Sequence, residues 1–287
     1  MESILRNLIR AVGRVCPNCV ILSQAIAFNM FLAFFPLLLL ALGMLGITSH
    51  FRDALSEIPN RLSLILPPGS MGVVGPYFVR TQLHPWRWMF LGLGGTLLAG
   101  SQVIIGYMEG FRVIEGDLLS PSYWQREFRA LGLLCLTIVP MLAVIVLTVF
   151  GKQTRKWLMH ETGSVSVTHV LDLGFYAAVV FLLAMGVLVV LYRLGRPGYQ
   201  GLRGLLPGAA VATVLWWTSD ITFGFYVRKM PYDAVYRGLA AAIGLLLWMF
   251  ITALIVLLGA GYNAEARESA AVEKELVVGE RVLRRLL

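Results

Sequence analysis

Residues 238–264 read GLAAAIGLLLWMFITALIVLLGAGYNA, 27 residues without one Asp, Glu, Lys or Arg. A helix rises about 1.5 Å per residue, so roughly 20 residues cross the ~30 Å hydrocarbon core of a bilayer. Helices of soluble domains are usually shorter and keep charges on a wet face. The segment therefore predicts a transmembrane helix. Five further stretches read the same way. Residues 15–51, 88–108, 130–151 and 173–192 carry no charge, and 204–227 carries only Asp220.

Hydrophobic residues make up 58% of the chain and charged residues 14%, with a mean hydropathy of +0.76. A soluble chain of this composition would have too few residues for its wet surface. Solid apolar runs exclude a β-barrel, whose strands alternate in polarity over about ten residues. The first apolar stretch lacks a small-x-small cleavage site, so no removed signal peptide is expected. The expected fold is an all-α membrane protein, one bundle of six transmembrane helices. It has an interfacial amphipathic helix over 1–20, a membrane domain over 21–264 and a cytoplasmic amphipathic C-terminal helix over 265–287.

The net charge of +8 fits cytoplasmic loops and anionic headgroups better than a nucleic acid, and no nucleic-acid partner is expected. With six spans and the N-terminus inside, cytoplasmic segments hold 14 of the 24 Lys and Arg and external ones 10. Lys152, Arg155 and Lys156 run against this mild bias. Both termini are predicted cytoplasmic. Cys16-Pro17-Asn18-Cys19 has the spacing of a zinc half-site or a redox pair. A zinc site needs two more ligands, and His50, His84, His160 and His169 are scattered; a redox pair needs a βαβ context that is absent. No metal or cofactor is expected.

Over residues 1–14, Arg6, Arg10 and Arg14 share one face, opposite Leu5, Leu8, Ile9 and Val12. Such a helix lies in the headgroup plane or docks on the bundle. The first span, 22–47, carries Pro36, which predicts a kink or a break. Residues 49–85 form an external connection, cut into short pieces by Leu66-Pro67-Pro68-Gly69 and Gly75-Pro76. In the second span, 86–107, Gly92, Thr96 and Gly100 recur at i+4 with Gly95 and Ala99 beside them. That small-residue face admits a close neighbour, inside the bundle or across a homo-oligomer. A polar connection, 108–129, leads to spans over 130–151, 170–192, 205–226 and 239–262. Arg193, Arg196 and Arg203 make the link before the fifth span basic.

No HExxH, Walker or GxSxG pattern is present. The candidate functional group is Asp220, about 15 residues or roughly 22 Å into the fifth span. A carboxylate at that depth costs several kcal/mol unless paired or wet, so it marks a polar pathway. The other reading is an interfacial Asp beside an aromatic belt of Trp216 and Trp217. Glu109, Arg112 and Arg193 at the predicted cytoplasmic rim, with Gln102 and Asn263 in or beside spans, complete the candidate pathway. Ser23, Asn29 and Ser101 are expected to make interhelical hydrogen bonds.

Three motifs carry a resemblance. Residues 25–40, from Ala25-Ile26-Ala27-Phe28-Asn29 to Phe35-Pro36-Leu37, resemble the opening "LFPLLLL" motif of the YihY/BrkB family. Tyr192-Arg193 followed by Pro207-Gly208-Ala209 is similar to its "YR…PGA" entry to the fifth span. Tyr232, Tyr236, Leu239-Ala240, Leu246-Leu247-Trp248, Leu258-Gly259-Ala260 and Asn263-Ala264-Glu265 are similar to its closing motif. The similarity runs in order from about residue 10 to residue 268. Gly261 stands where the family has Glu, and Asp233 and Arg237 replace two glycines at a spacing that suits a helical ion pair.

The resemblance implies six transmembrane helices in a bacterial inner membrane. It also brings a "ribonuclease BN" label, virulence-associated members and one link to lipid export. The nuclease label conflicts with the composition, because the loops are too short for a basic groove with acid–base groups. The expected function is a transporter or flippase-like protein for an amphiphile or small polar solute, with membrane lipids as partners. The alternative is a non-catalytic envelope assembly or structural factor.

Overall fold

The structure is a computed structural model and describes residues 2–16, 18–47, 85–117, 122–137, 165–196, 201–229 and 237–286. Every regular element among them is helical. In chain order these are α1 Glu2–Val15, α2 Asn18–Ile47, α3 Pro85–Glu115, α4 over 123–137, α5 Val165–Leu194, α6 Leu206–Lys229 and α7 Arg237–Leu286. A 3-10 turn, Leu202–Gly204, precedes α6. Three stretches are long and apolar enough to cross a membrane: Cys19–Leu40, Trp86–Glu115 and Ala242–Val272, with Ala178–Leu194 a shorter apolar helix. Helices suit that solvent because each satisfies its own backbone. Their outward residues are apolar, as with Phe28, Leu32 and Phe35 on α2 and Phe90, Leu91 and Leu98 on α3.

The connection expected over 49–85 lies, except for Pro85, outside the described residues, as do most of the third span and Asp233 of the expected ion pair. Two boundaries differ from expectation. Helix α3 continues from the predicted end at 107 to Glu115. Gly116 then stops it at φ +69. The Gly116 N–H donates to the Val113 carbonyl (3.2 Å) and the Asp117 N–H to the Arg112 carbonyl (3.1 Å). This is the paired closure of a Schellman motif. Helix α2 passes through Pro36 without a break. Helix α7 is one element of 50 residues that runs past Asn263, where a separate tail was expected. Ala264-Glu265-Ala266-Arg267-Glu268 are good helix formers, and neither Gly nor Pro interrupts them.

The chain divides into two compact units. One comprises Ile21–Gly106 and Thr218–Leu254. Its core includes Ser23, Ile26 and Ala27 of α2, Thr96, Ser101, Ile104 and Ile105 of α3, and Met249 and Ala253 of α7. The small-residue face of α3 is filled from within. A Cβ on Gly95 would sit 2.6 Å from Pro36 Cβ, and one on Gly92 would meet the Leu40 backbone and the Pro36 carbonyl. The second unit comprises Met1–Val20, Tyr107–Trp217 and Ile255–Leu287. Its core gathers Ala11, Val15, Phe111, Ala130, Tyr192, Leu205, Ala212 and Leu257.

The contrast between two glycines tests this packing. Gly92→Ala pushes against backbone atoms that cannot rotate away, and should destabilise by about 1–3 kcal/mol. A Cβ on Gly94 meets nothing within 4 Å, so Gly94→Ala should leave thermal stability in nanodiscs unchanged or raise it by up to about 1 kcal/mol.

Candidate functional site

Helix α6 opens with exposed Leu206 and Pro207 beside buried Leu205 and Gly208, and it has no cap of its own. Leu205, which precedes it, has no side-chain acceptor, and Pro207 has no N–H. Asn263 of α7 supplies the cap from outside. Its Oδ1 accepts the Gly208 N–H at 2.7 Å, and its Nδ2 donates to the Leu205 carbonyl at 3.1 Å. The approach is close because the residues at the crossing are small. A Cβ on Gly259 would stand 2.7 Å from Ala212 Cβ and 2.7 Å from the Gly208 carbonyl. Buried Tyr192 of α5 donates its hydroxyl to the Val256 carbonyl at 2.8 Å and packs edge-on against Phe111. The Tyr192, Pro207-Gly208-Ala209, Gly259 and Asn263 motif positions thus meet in one place.

Charges in the same unit tie its helix ends together. Glu115 at the end of α3 pairs with Arg196 and, at 2.8 Å, with Arg267. Burial pushes the Arg196 guanidinium down to about 10, and the charge of Arg267 adds to the shift. Arg14 of α1 reaches Glu265 at 3.1 Å and Glu268 at 2.7 Å. Beneath α1 lies Gly261, where a Cβ would sit 2.9 Å from Val15 Cγ2. A glutamate there would displace α1, which gives the departure from the family pattern a steric reason.

In the other unit Asp220 accepts the indole N–H of Trp248 on α7 at 2.6 Å. At 100° per residue, Val214, Thr218, Ile221, Thr222 and Phe225 form the exposed stripe of α6. Asp220 points away from that stripe, on the side of Ala209, Ala212 and Thr213. It is half-buried. The α6 threonines return their hydroxyls to their own helix, Thr213 to the Ala209 carbonyl and Thr222 to the Thr218 carbonyl. Asp220 instead bonds across to a second helix.

The other predicted positions fall as follows. Glu109 and Arg112 pair with each other at 2.9 Å (i, i+3). Arg193 is half-buried at the end of α5, and Gln102 is exposed on α3. Pro36 packs against Gly95. Asp220, Gln102 and Pro36 belong to one unit, and Glu109, Arg112, Arg193 and Asn263 to the other. Trp248 was missed as a partner for Asp220. The available signal was an indole in the middle of a span, since a buried indole N–H needs an acceptor. Cys16 is exposed and Cys19 buried, and neither is in a disulfide. No group of three or more His, Cys, Asp or Glu that could hold a metal occurs among the described residues.

Apolar spans joined by isolated polar contacts define a polytopic α-helical membrane protein. The chain belongs to the Virulence factor BrkB family, whose model matches residues 17–278. It is 28% identical over 129 residues to the putative ribonuclease-like protein YfkH of Bacillus subtilis, covering 43% of this chain and 46% of that protein. It is 29% identical over 134 residues to a UPF0761 membrane protein of Tolumonas auensis, covering 45% of this chain and 43% of the relative. A UPF0761 membrane protein of Vibrio campbellii is 42% identical over 62 residues, 21% of this chain and 20% of the relative. The aligned part of the chain thus spans less than half the length of each of these relatives. No solved structure matches.

Asn263→Leu leaves the buried Gly208 N–H without an acceptor and should destabilise by about 1–3 kcal/mol. Asn263→Asp keeps the acceptor and should be milder. Thermal unfolding of the two purified variants checks the order.

Proposed function

We propose that this protein moves an amphiphile or small polar solute across the bacterial inner membrane, as a six-span protein with both termini cytoplasmic. The carrying observation is the Asp220–Trp248 hydrogen bond. A carboxylate held on the inward side of a membrane helix is expensive, and its usual use is on a substrate or ion path. A polar headgroup or solute could take up the acceptor capacity that the Trp248 indole leaves on the Asp220 carboxylate.

The assembly-factor reading needs small-residue grooves open to a partner. At Gly92 and Gly95 the groove is filled by Pro36 and Leu40, which favours transport. A nuclease reading draws on the printed name of one relative. No catalytic motif supports it.

The test is transbilayer movement of a fluorescent phospholipid, or uptake of a candidate solute, in proteoliposomes. Asp220→Asn keeps the shape and removes the charge, so it should insert normally and lose most of the activity. Activity at wild-type level in Asp220→Asn would contradict the proposal. The same preparation, freed of contaminating nucleases, is expected to leave RNA intact.

A further inference from the structure

Helix α1 has two apolar sides, and its protein contacts account for one of them. Ala11 and Val15 are fully buried, and Arg14 is tied to Glu265 and Glu268 of α7. Ile9 is 64% exposed and Val12 43% exposed, and Cys16 is exposed with them. At i, i+3 and i+7 these three form a continuous stripe. Next to it stand Arg6 and Arg10, both exposed. The residues three and four positions from Arg10 are Arg6, Asn7, Gly13 and Arg14, so no acid on α1 neutralises it at helical spacing. Glu2 stands four positions before Arg6, whereas no carboxylate among the described residues pairs with Arg10.

An apolar stripe edged by exposed arginines is complementary to one kind of surface, acyl chains beneath phosphate headgroups. The same unit exposes a second patch of that chemistry at the start of α4. Tyr123, Trp124 and Phe128 are 59%, 68% and 69% exposed. The Arg126 guanidinium lies 5.7 Å from the Tyr123 ring centroid, and Arg129 is exposed. Aromatic rings with arginines are typical of the membrane–water boundary.

We infer that α1 is an anionic-lipid-binding element: Ile9, Val12 and Cys16 enter the acyl boundary, Arg6 and Arg10 hold phospholipid phosphates, and Arg14 fastens the helix to α7. This role is independent of any transport activity. It divides three arginines of one helical face between two jobs, two for lipid and one for protein.

The test uses the full chain in nanodiscs of phosphatidylcholine alone or mixed with phosphatidylglycerol. Bimane is attached to Ile9→Cys, with Cys16→Ser, Cys19→Ala and Cys135→Ser in the background. Nitroxide high on the lipid chain is expected to quench position 9 more than aqueous iodide does. The lipid quenching at position 9 should increase in the anionic discs, since each arginine near the surface favours anionic lipid about fivefold. Arg6→Gln with Arg10→Gln should abolish that increase, with unchanged thermal stability of the double variant reporting that α1 is still seated. Quenching of position 9 by iodide alone, or by neither quencher as under a protein partner, would overturn the inference. So would lipid quenching that is identical in the two discs and unchanged by the double substitution.

Discussion

The first turn of helix α6 buries Gly208, and the side-chain amide of Asn263 is what that turn leans on. A backbone N–H that loses water must find another acceptor, and the first turn of a helix has none of its own. Asn263 gives an acceptor to Gly208 and a donor to Leu205, so one residue satisfies both ends of that need. The geometry imposes small residues around it. Gly208 and Gly259 bring the α6 and α7 backbones together, and Ala212 fills what remains. Tyr192 then closes the crossing from α5 through the Val256 carbonyl. Of the motif residues shared with the family, Tyr192, Gly208, Gly259 and Asn263 are parts of one crossing.

The charged groups follow a related logic in a more polar setting. Glu115 holds Arg196 and Arg267, and Arg14 holds Glu265 and Glu268. Each contact joins the end of one helix to another segment of the unit. Asp220 differs in kind. Among the described residues its hydrogen-bond partner is a neutral indole rather than a cation.

The membrane class was legible from charge-free runs alone, because the bilayer sets a minimum helix length that soluble folds seldom need. Helix α7 shows how far that signal reaches. The apolar run located its core, but the extension to Leu286 depends on the good helix formers that follow Asn263, a weaker cue than hydropathy. The end of α3 was misplaced because polarity was read as a loop. Glu109, Arg112 and Glu115 are compatible with helix, and the real stop is the left-handed Gly116. The small-residue face of α3 was visible, whereas its occupant was not, since nothing local in the sequence couples Gly95 to Pro36. For the candidate site, Asp220 stood out by cost. Trp248 lies 28 positions away, and only the fold pairs the two.

The central claim is that an amide from α7 caps α6 in a place closed to water, and hydrogen exchange reads it directly. In the native protein the Gly208 amide should exchange as slowly as amides in the middle of α6, although it sits in the first turn. In Asn263→Leu it should lose that protection before the rest of the helix does. A Gly208 amide that exchanges in the native protein as fast as a free helix N-terminus would contradict the account.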